Sequence, residues 1–145
     1  MTFMGEYEHS IDAKGRTIVP ATFRNDLGNT FIITRGVEKC AYIYSKEAFQ
    51  EKIDAIRNEK RSPSDKRIIM REFVAKAREL EPDKQGRVVI PSKLREFAFL
   101  TGDLIFAGVV DHIEVWNKDI YENGDSYNNE DINKQFVDAV DNLEW

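Results

Sequence analysis

Residues 12–24, "DAKGRTIVPATFR", recur seventy-one positions later as "DKQGRVVIPSKLR", residues 83–95. The alignment pairs Asp12 with Asp83, Gly15 with Gly86, Arg16 with Arg87, Pro20 with Pro91 and Arg24 with Arg95. Asp-x-x-Gly is turn chemistry, because the Asp carboxylate accepts from the backbone ahead of it and Gly takes positive φ without steric cost. The β-branched runs Thr17-Ile18-Val19 and Val88-Val89-Ile90 then predict short strands. Pro20 and Pro91 suit the first turn of short helices, "PATFRNDLG" and "PSKLREFAFL".

Beyond these helices, "TFIITRGVEKCAYIY" and "DLIFAGVVDHIEVW" each read as a hairpin around a Gly-containing turn. The agreement continues with one inserted residue, setting Gly36 against Gly108, Ile43 against Val115 and Tyr44 against Trp116. Each copy is therefore strand, turn, strand, short helix, hairpin. One such unit is too small to bury a core, and two in one chain can supply each other's partners. The expected fold class is α+β, an intramolecular pseudo-dimer around a small shared β-barrel.

Two helices are expected between the copies. Ser45 caps one carrying Phe49, Ile53 and Ile56, and Ser62-Pro63 opens another with Asp65 in its first turn and Ile69, Phe73, Ala77 and Leu80 along one face. The chain then divides into a first repeat with its helix (4–60), a connecting helix (61–80), a second repeat (81–121) and an acidic tail (122–145) within one pseudo-dimeric unit (1–145).

The 145 residues carry a net charge of −5, unevenly spread. The tail holds seven acidic residues, Glu122, Asp125, Glu130, Asp131, Asp138, Asp141 and Glu144, against Lys134 alone. The body is nearly neutral, and its two turns are basic spots: Lys14, Arg16 and Arg24 against Asp12, then Lys84, Arg87, Lys93 and Arg95 against Asp83. Total charge thus does not exclude a phosphate-bearing partner. Lysines in such turns would neutralise phosphates, with a log–log salt slope of about −0.9 per contact. Arg16 and Arg87 suit base reading, because a guanidinium can donate two hydrogen bonds to guanine O6 and N7. Asp12 and Asp83 would hold those arginines in position. Read as a structural feature, the same Asp-x-x-x-Arg is only an ion pair across a turn, and such exposed pairs are individually weak.

The duplicated Asp-x-x-x-Arg, the helical spacer and the closing "GVVDHIEVW" resemble the bacterial MraZ family, whose two halves each resemble the swapped-hairpin DNA-binding domains of AbrB and of the MazE antitoxin. The resemblance runs from about Met4 to Tyr121. It implies a transcriptional regulator that binds double-stranded DNA at direct repeats in the promoter of the division and cell-wall gene cluster, as a ring-shaped homo-oligomer in the cytoplasm, associated with the nucleoid. The DNA-binding residues it implies are Asp12, Lys14, Arg16 and Arg24 in the first copy and Asp83, Lys84, Arg87 and Arg95 in the second. The copies differ at Lys14 against Gln85 and at Ala13 against Lys84, which leaves open whether both contact DNA equally.

Catalysis is not expected. No Ser/His/Asp set or Gly-rich phosphate loop is present, and no cofactor, metal or small-molecule substrate is called for. His112, between Asp111 and Glu114, reads as a packed or hydrogen-bonded residue rather than a ligand. Cys40, the single cysteine, reads as a small core residue. No apolar run is long enough for a membrane span and the first residues do not read as a secretion signal, so a cytosolic protein is expected. The alternative function is an antitoxin-like or scaffold interaction module without DNA recognition. Its surface would be the exposed helices or the tail, where Phe136, Val137, Val140, Leu143 and Trp145 could dock on a partner or pack on the body.

Overall fold

The computed structural model describes residues 2–124 and 129–141, and both copies follow the expected plan. The first comprises β1 (Phe3–Ile11), β2 (Arg16–Ile18), α1 (Ala21–Leu27), β3 (Phe31–Arg35) and β4 (Ala41–Ser45). The second comprises β5 (Arg78–Leu80), β6 (Arg87–Val89), α4 (Ser92–Ala98), β7 (Gly102–Val110) and β8 (Ile113–Asn117). Between them lie α2 (Lys46–Asn58) and α3 (Pro63–Ile69), and after them α5 (Lys118–Asn123) and α6 (Asn129–Asp141).

The copies exchange strands. One antiparallel sheet has the order β1-β7-β8-β4-β3-β5, so the first strand of each copy lies on the hairpin of the other, and β2 pairs with β6 in a separate ribbon. The registers obey a pseudo-twofold: Phe31 opposite Leu80 corresponds to Leu104 opposite His9. The axis passes between Tyr42 and Glu114 in the β4–β8 pair and between Thr17 and Val88 in the ribbon. This exchange places Val19, Phe23, Phe31, Ile33, Val88, Ile90, Leu94, Leu104 and Phe106 in one shared, buried core. Burying such side chains contributes about 1.5–3 kcal/mol each, and each half supplies the other's partners.

The α+β class and the doubled topology stand as expected, but the sheet stays open instead of closing as a barrel. Among the described residues β1 and β5 each have one strand neighbour, and β2 and β6 take each other as partners, so the hydrogen-bond ladder does not come full circle. Two local expectations shift as well. The first hairpin has five residues between the paired Arg35 and Ala41, whereas the second has four between Gly108 and Ile113. Gly108 therefore stands in the ladder position of Arg35 rather than Gly36.

The inter-repeat helices start where the caps predict: Ala48 N–H donates to Ser45 Oγ at 3.1 Å and Asp65 N–H to Ser62 Oγ at 3.2 Å. The helix after Ser62 does not run on to Leu80. It widens into a π turn at Met70–Val74, closed by Ala75 N–H donating to the Met70 carbonyl at 3.0 Å, and ends there. The Phe73 carbonyl accepts from the hydroxyl of Thr34, a buried polar residue of β3, at 2.5 Å. A buried hydroxyl left unpaired is costly, so the bulge satisfies the core beneath it. Leu80 instead occupies β5, buried opposite Phe31.

In α6, Phe136 and Val137 are exposed, so these two do not pack on the body. Asp125, Leu143, Glu144 and Trp145 lie outside the described residues.

Candidate nucleic-acid interface

Each Asp-x-x-x-Arg turn is held by its own carboxylate. Asp12 Oδ1 accepts from the Lys14 and Arg16 backbone N–H groups at 3.0 and 2.9 Å, and Oδ2 accepts from Arg16 Nε at 2.7 Å. In the second copy Asp83 Oδ1 accepts from Gln85 and Arg87 N–H at 2.8 and 2.9 Å, and Oδ2 accepts from Arg87 Nε at 2.9 Å. The turns close through Gly15 N–H to the Asp12 carbonyl and Gly86 N–H to the Asp83 carbonyl, with φ of 84° and 80° at the two glycines. The Arg16 backbone N–H and then its guanidinium hold the Asp12 carboxyl below the usual Asp range. The Arg87 backbone N–H, assisted by its side chain, does the same for Asp83.

The strands after the turns alternate. Arg16, Ile18, Arg87 and Val89 share the outward face of the β2–β6 ribbon, while Thr17 and Val88 are buried on the other. Arg16 is opposite Val89 and Arg87 opposite Ile18, so the two arginines lie diagonally, with Cα atoms about 8 Å apart by strand geometry. Their side chains are about two-fifths exposed. Asp takes Nε, which leaves the Nη1–Nη2 edge of each guanidinium as the one suited to a bidentate acceptor. Lys14 and Lys84 are exposed on the turns at the two ends of the ribbon.

Arg24 and Arg95 are placed differently from the other six residues. Both are half-buried and cross between copies, Arg95 lying against Gly15 and Arg24 against Gly86. Arg95 Nε donates to the Ile90 carbonyl at 2.9 Å, and Ile90 N–H donates to the Gly15 carbonyl at 2.9 Å. Arg24 Nε is buried without a hydrogen-bond partner among the described residues. The alignment showed these two arginines as repeated but could not show that each supports the opposite turn. The apolar pair Ile18 and Val89 was also missed as surface, although strict alternation with buried Thr17 and Val88 could have revealed it.

His112 is a packed residue. Its Nδ1 lies 2.7 Å from Asp111 Oδ1, and its ring stacks on Tyr44 with centroids 5.1 Å apart. Among the described residues no three His, Cys, Asp or Glu side chains converge as metal ligands. Cys40 is fully buried, and burial pushes its thiol well above its ordinary range.

Comparison with known proteins bears on the whole chain. The family model described as "MraZ protein, putative antitoxin-like" matches twice, over residues 2–72 and 73–143, so the boundary between its copies falls inside the π turn. A Thermoanaerobacter sp. (strain X514) protein named Transcriptional regulator MraZ is 41% identical over 97% of both chains. Proteins of the same name from Lachnoclostridium phytofermentans and Acetivibrio thermocellus are each 45% identical, covering 89% and 83% of this chain and 90% and 84% of their own. Two tandem family matches and relatives of this identity along nearly the full length agree with the strand-exchanged halves, and the chain belongs to the MraZ family.

Proposed function

We propose that this protein is a sequence-specific DNA-binding transcriptional regulator whose β2–β6 ribbon enters the major groove. The carrying observation is that two arginines, each tethered through Nε to its own Asp, share the outward face of a two-stranded ribbon. A two-stranded β-ribbon is of the right size for the major groove, and a guanidinium held at one end loses less freedom on pairing with guanine. Lys14 and Lys84 contact phosphates at the two ends, while Arg24 and Arg95 brace the turns from below. The relatives' shared name, transcriptional regulator, supports the same reading.

One ribbon with two base-reading residues binds weakly. A ring-shaped homo-oligomer on direct promoter repeats, in front of the division and cell-wall gene cluster, makes later contacts intramolecular and raises avidity. The role is regulatory rather than catalytic. No helix of the described residues is long and apolar enough to cross a membrane, in keeping with a protein that works on nucleoid DNA.

Fluorescence anisotropy on a duplex carrying the repeats tests the reading, with light scattering on the same samples. Arg16→Ala and Arg87→Ala each weaken binding by roughly ten- to a hundredfold, and the double variant abolishes it, with oligomer size and folding unchanged. Parent-like affinity in the double variant makes the Asp–Arg pairs structural only.

A further inference from the structure

A second basic feature lies beside the start of α4. A cavity of about 410 Å³ is lined by Arg35, Lys76, Arg78 and Lys93 together with Leu94 and Phe97. Among the described residues no carboxylate lines it; beside it Glu72 accepts from Arg35 at 2.8 Å and Lys76 at 3.0 Å. Two of the cations are fixed in place. Arg35 also donates through Nε to the Gly36 carbonyl and rests on the Phe97 ring at 4.3 Å, and Arg78 donates to the Ala75 and Ala77 carbonyls. Lys93 has no carboxylate partner among the described residues.

The pseudo-twofold supplies an internal control. The strand positions equivalent to Arg35 and Arg78 are Gly108 and Tyr7, and in the first helix Thr22 and Asp26 stand in place of Lys93 and Phe97. The other half keeps no cation there, and Tyr7 packs edge-on against Phe23 at 5.2 Å. The fold therefore does not require the cluster.

We propose that this cavity is a binding site for a phosphorylated small molecule with an apolar moiety. The phosphoryl oxygens meet Arg78 and Lys93, and the apolar part lies against Leu94 and the aromatic edge of Phe97. Planar guanidinium forks match phosphate oxygens, fixed donors lose little entropy on binding, and the cavity volume is in the range of small-ligand sites. The cavity residues are not those tethered to Asp12 and Asp83, and the proposal does not rest on the DNA reading.

Calorimetric titration of the full chain with phenyl phosphate and with inorganic phosphate tests this. Phenyl phosphate should saturate and bind at least fivefold tighter than inorganic phosphate. Lys93→Ala, at an exposed helix position where folding is not at risk, should weaken it at least tenfold, as should Arg78→Gln, whereas Lys14→Ala and Lys84→Ala should leave it unchanged. The proposal is overturned by lack of saturation, by equal affinity for the two probes, or by parent-like binding in Lys93→Ala.

Discussion

In the first half of the chain a nine-residue strand, β1, leads into the Asp12 turn, whereas the Asp83 turn follows a three-residue strand, β5. Both carboxylates nevertheless accept two backbone N–H groups through Oδ1 and an arginine Nε through Oδ2. The turn is therefore a local structure, built from contacts two and four residues apart and indifferent to strand length. What differs between the halves is the support beneath. A Cβ on Gly15 would stand 2.6 Å from Arg95 Nε and 3.0 Å from the Ile90 carbonyl oxygen, whereas one on Gly86 would collide only with the end of the Arg24 side chain.

That asymmetry gives the largest expected stability effect. Gly15→Ala should cost about 3 kcal/mol and Gly86→Ala about 1 kcal/mol, because both adopt positive φ but only Gly15 meets fixed backbone. Chemical denaturation of the two variants measures the gap, and equal losses would mean that Arg24 is as immovable as the Ile90 carbonyl.

The hairpins offer a second contrast. The four-residue loop of the second holds Val110 at φ 75°, a conformation that a β-branched residue resists, with its side chain mostly exposed. Val110→Gly should stabilise the protein by about 1 kcal/mol, seen as a raised denaturant midpoint. A lowered midpoint would assign the Val110 side chain a packing role that its exposure denies.

On DNA, Lys14→Ala and Lys84→Ala should each reduce the salt slope by about 0.9 without changing sequence preference, if the turns contact phosphates equally. Unequal slopes would show that the exchange of Lys14 for Gln85 and of Ala13 for Lys84 tilts the protein on the duplex.

The smallest effect is in acid. Asp12 and Asp83 have lowered pKa values in the fold, so their contribution is complete above the ordinary Asp value and is lost as pH falls through the lowered one. Denaturation from neutral pH into that range should show less acid sensitivity for the Asp12→Asn, Asp83→Asn double variant than for the parent. Identical acid profiles would remove the carboxylates from the turns' stability.

Much of this was legible in the residues because it is local. Asp-x-x-Gly specified the turns, the proline-started helices and both serine caps appeared where the pattern set them, and the repeat announced two matching halves. Helical spacing misled at Ala77 and Leu80, which lie beyond the π turn, because period alone cannot show that the Phe73 carbonyl pairs with Thr34, thirty-nine residues away in the chain. Of the eight candidate residues, the six on the turns and ribbon are exposed or part-exposed, while Arg24 and Arg95 turned inward under the opposite glycines.

By itself the sequence determined the doubled unit, its turn chemistry and the basic character of both turns, since these depend on neighbours within a few residues. The tertiary structure alone decided that the copies trade strands, that the sheet remains open, that Arg16 and Arg87 share one ribbon face, and that Arg35, Lys76, Arg78 and Lys93 surround one cavity. Those outcomes depend on pairing between segments far apart in the chain, where loop closure and burial of the shared core select the partner and no short-range pattern records it.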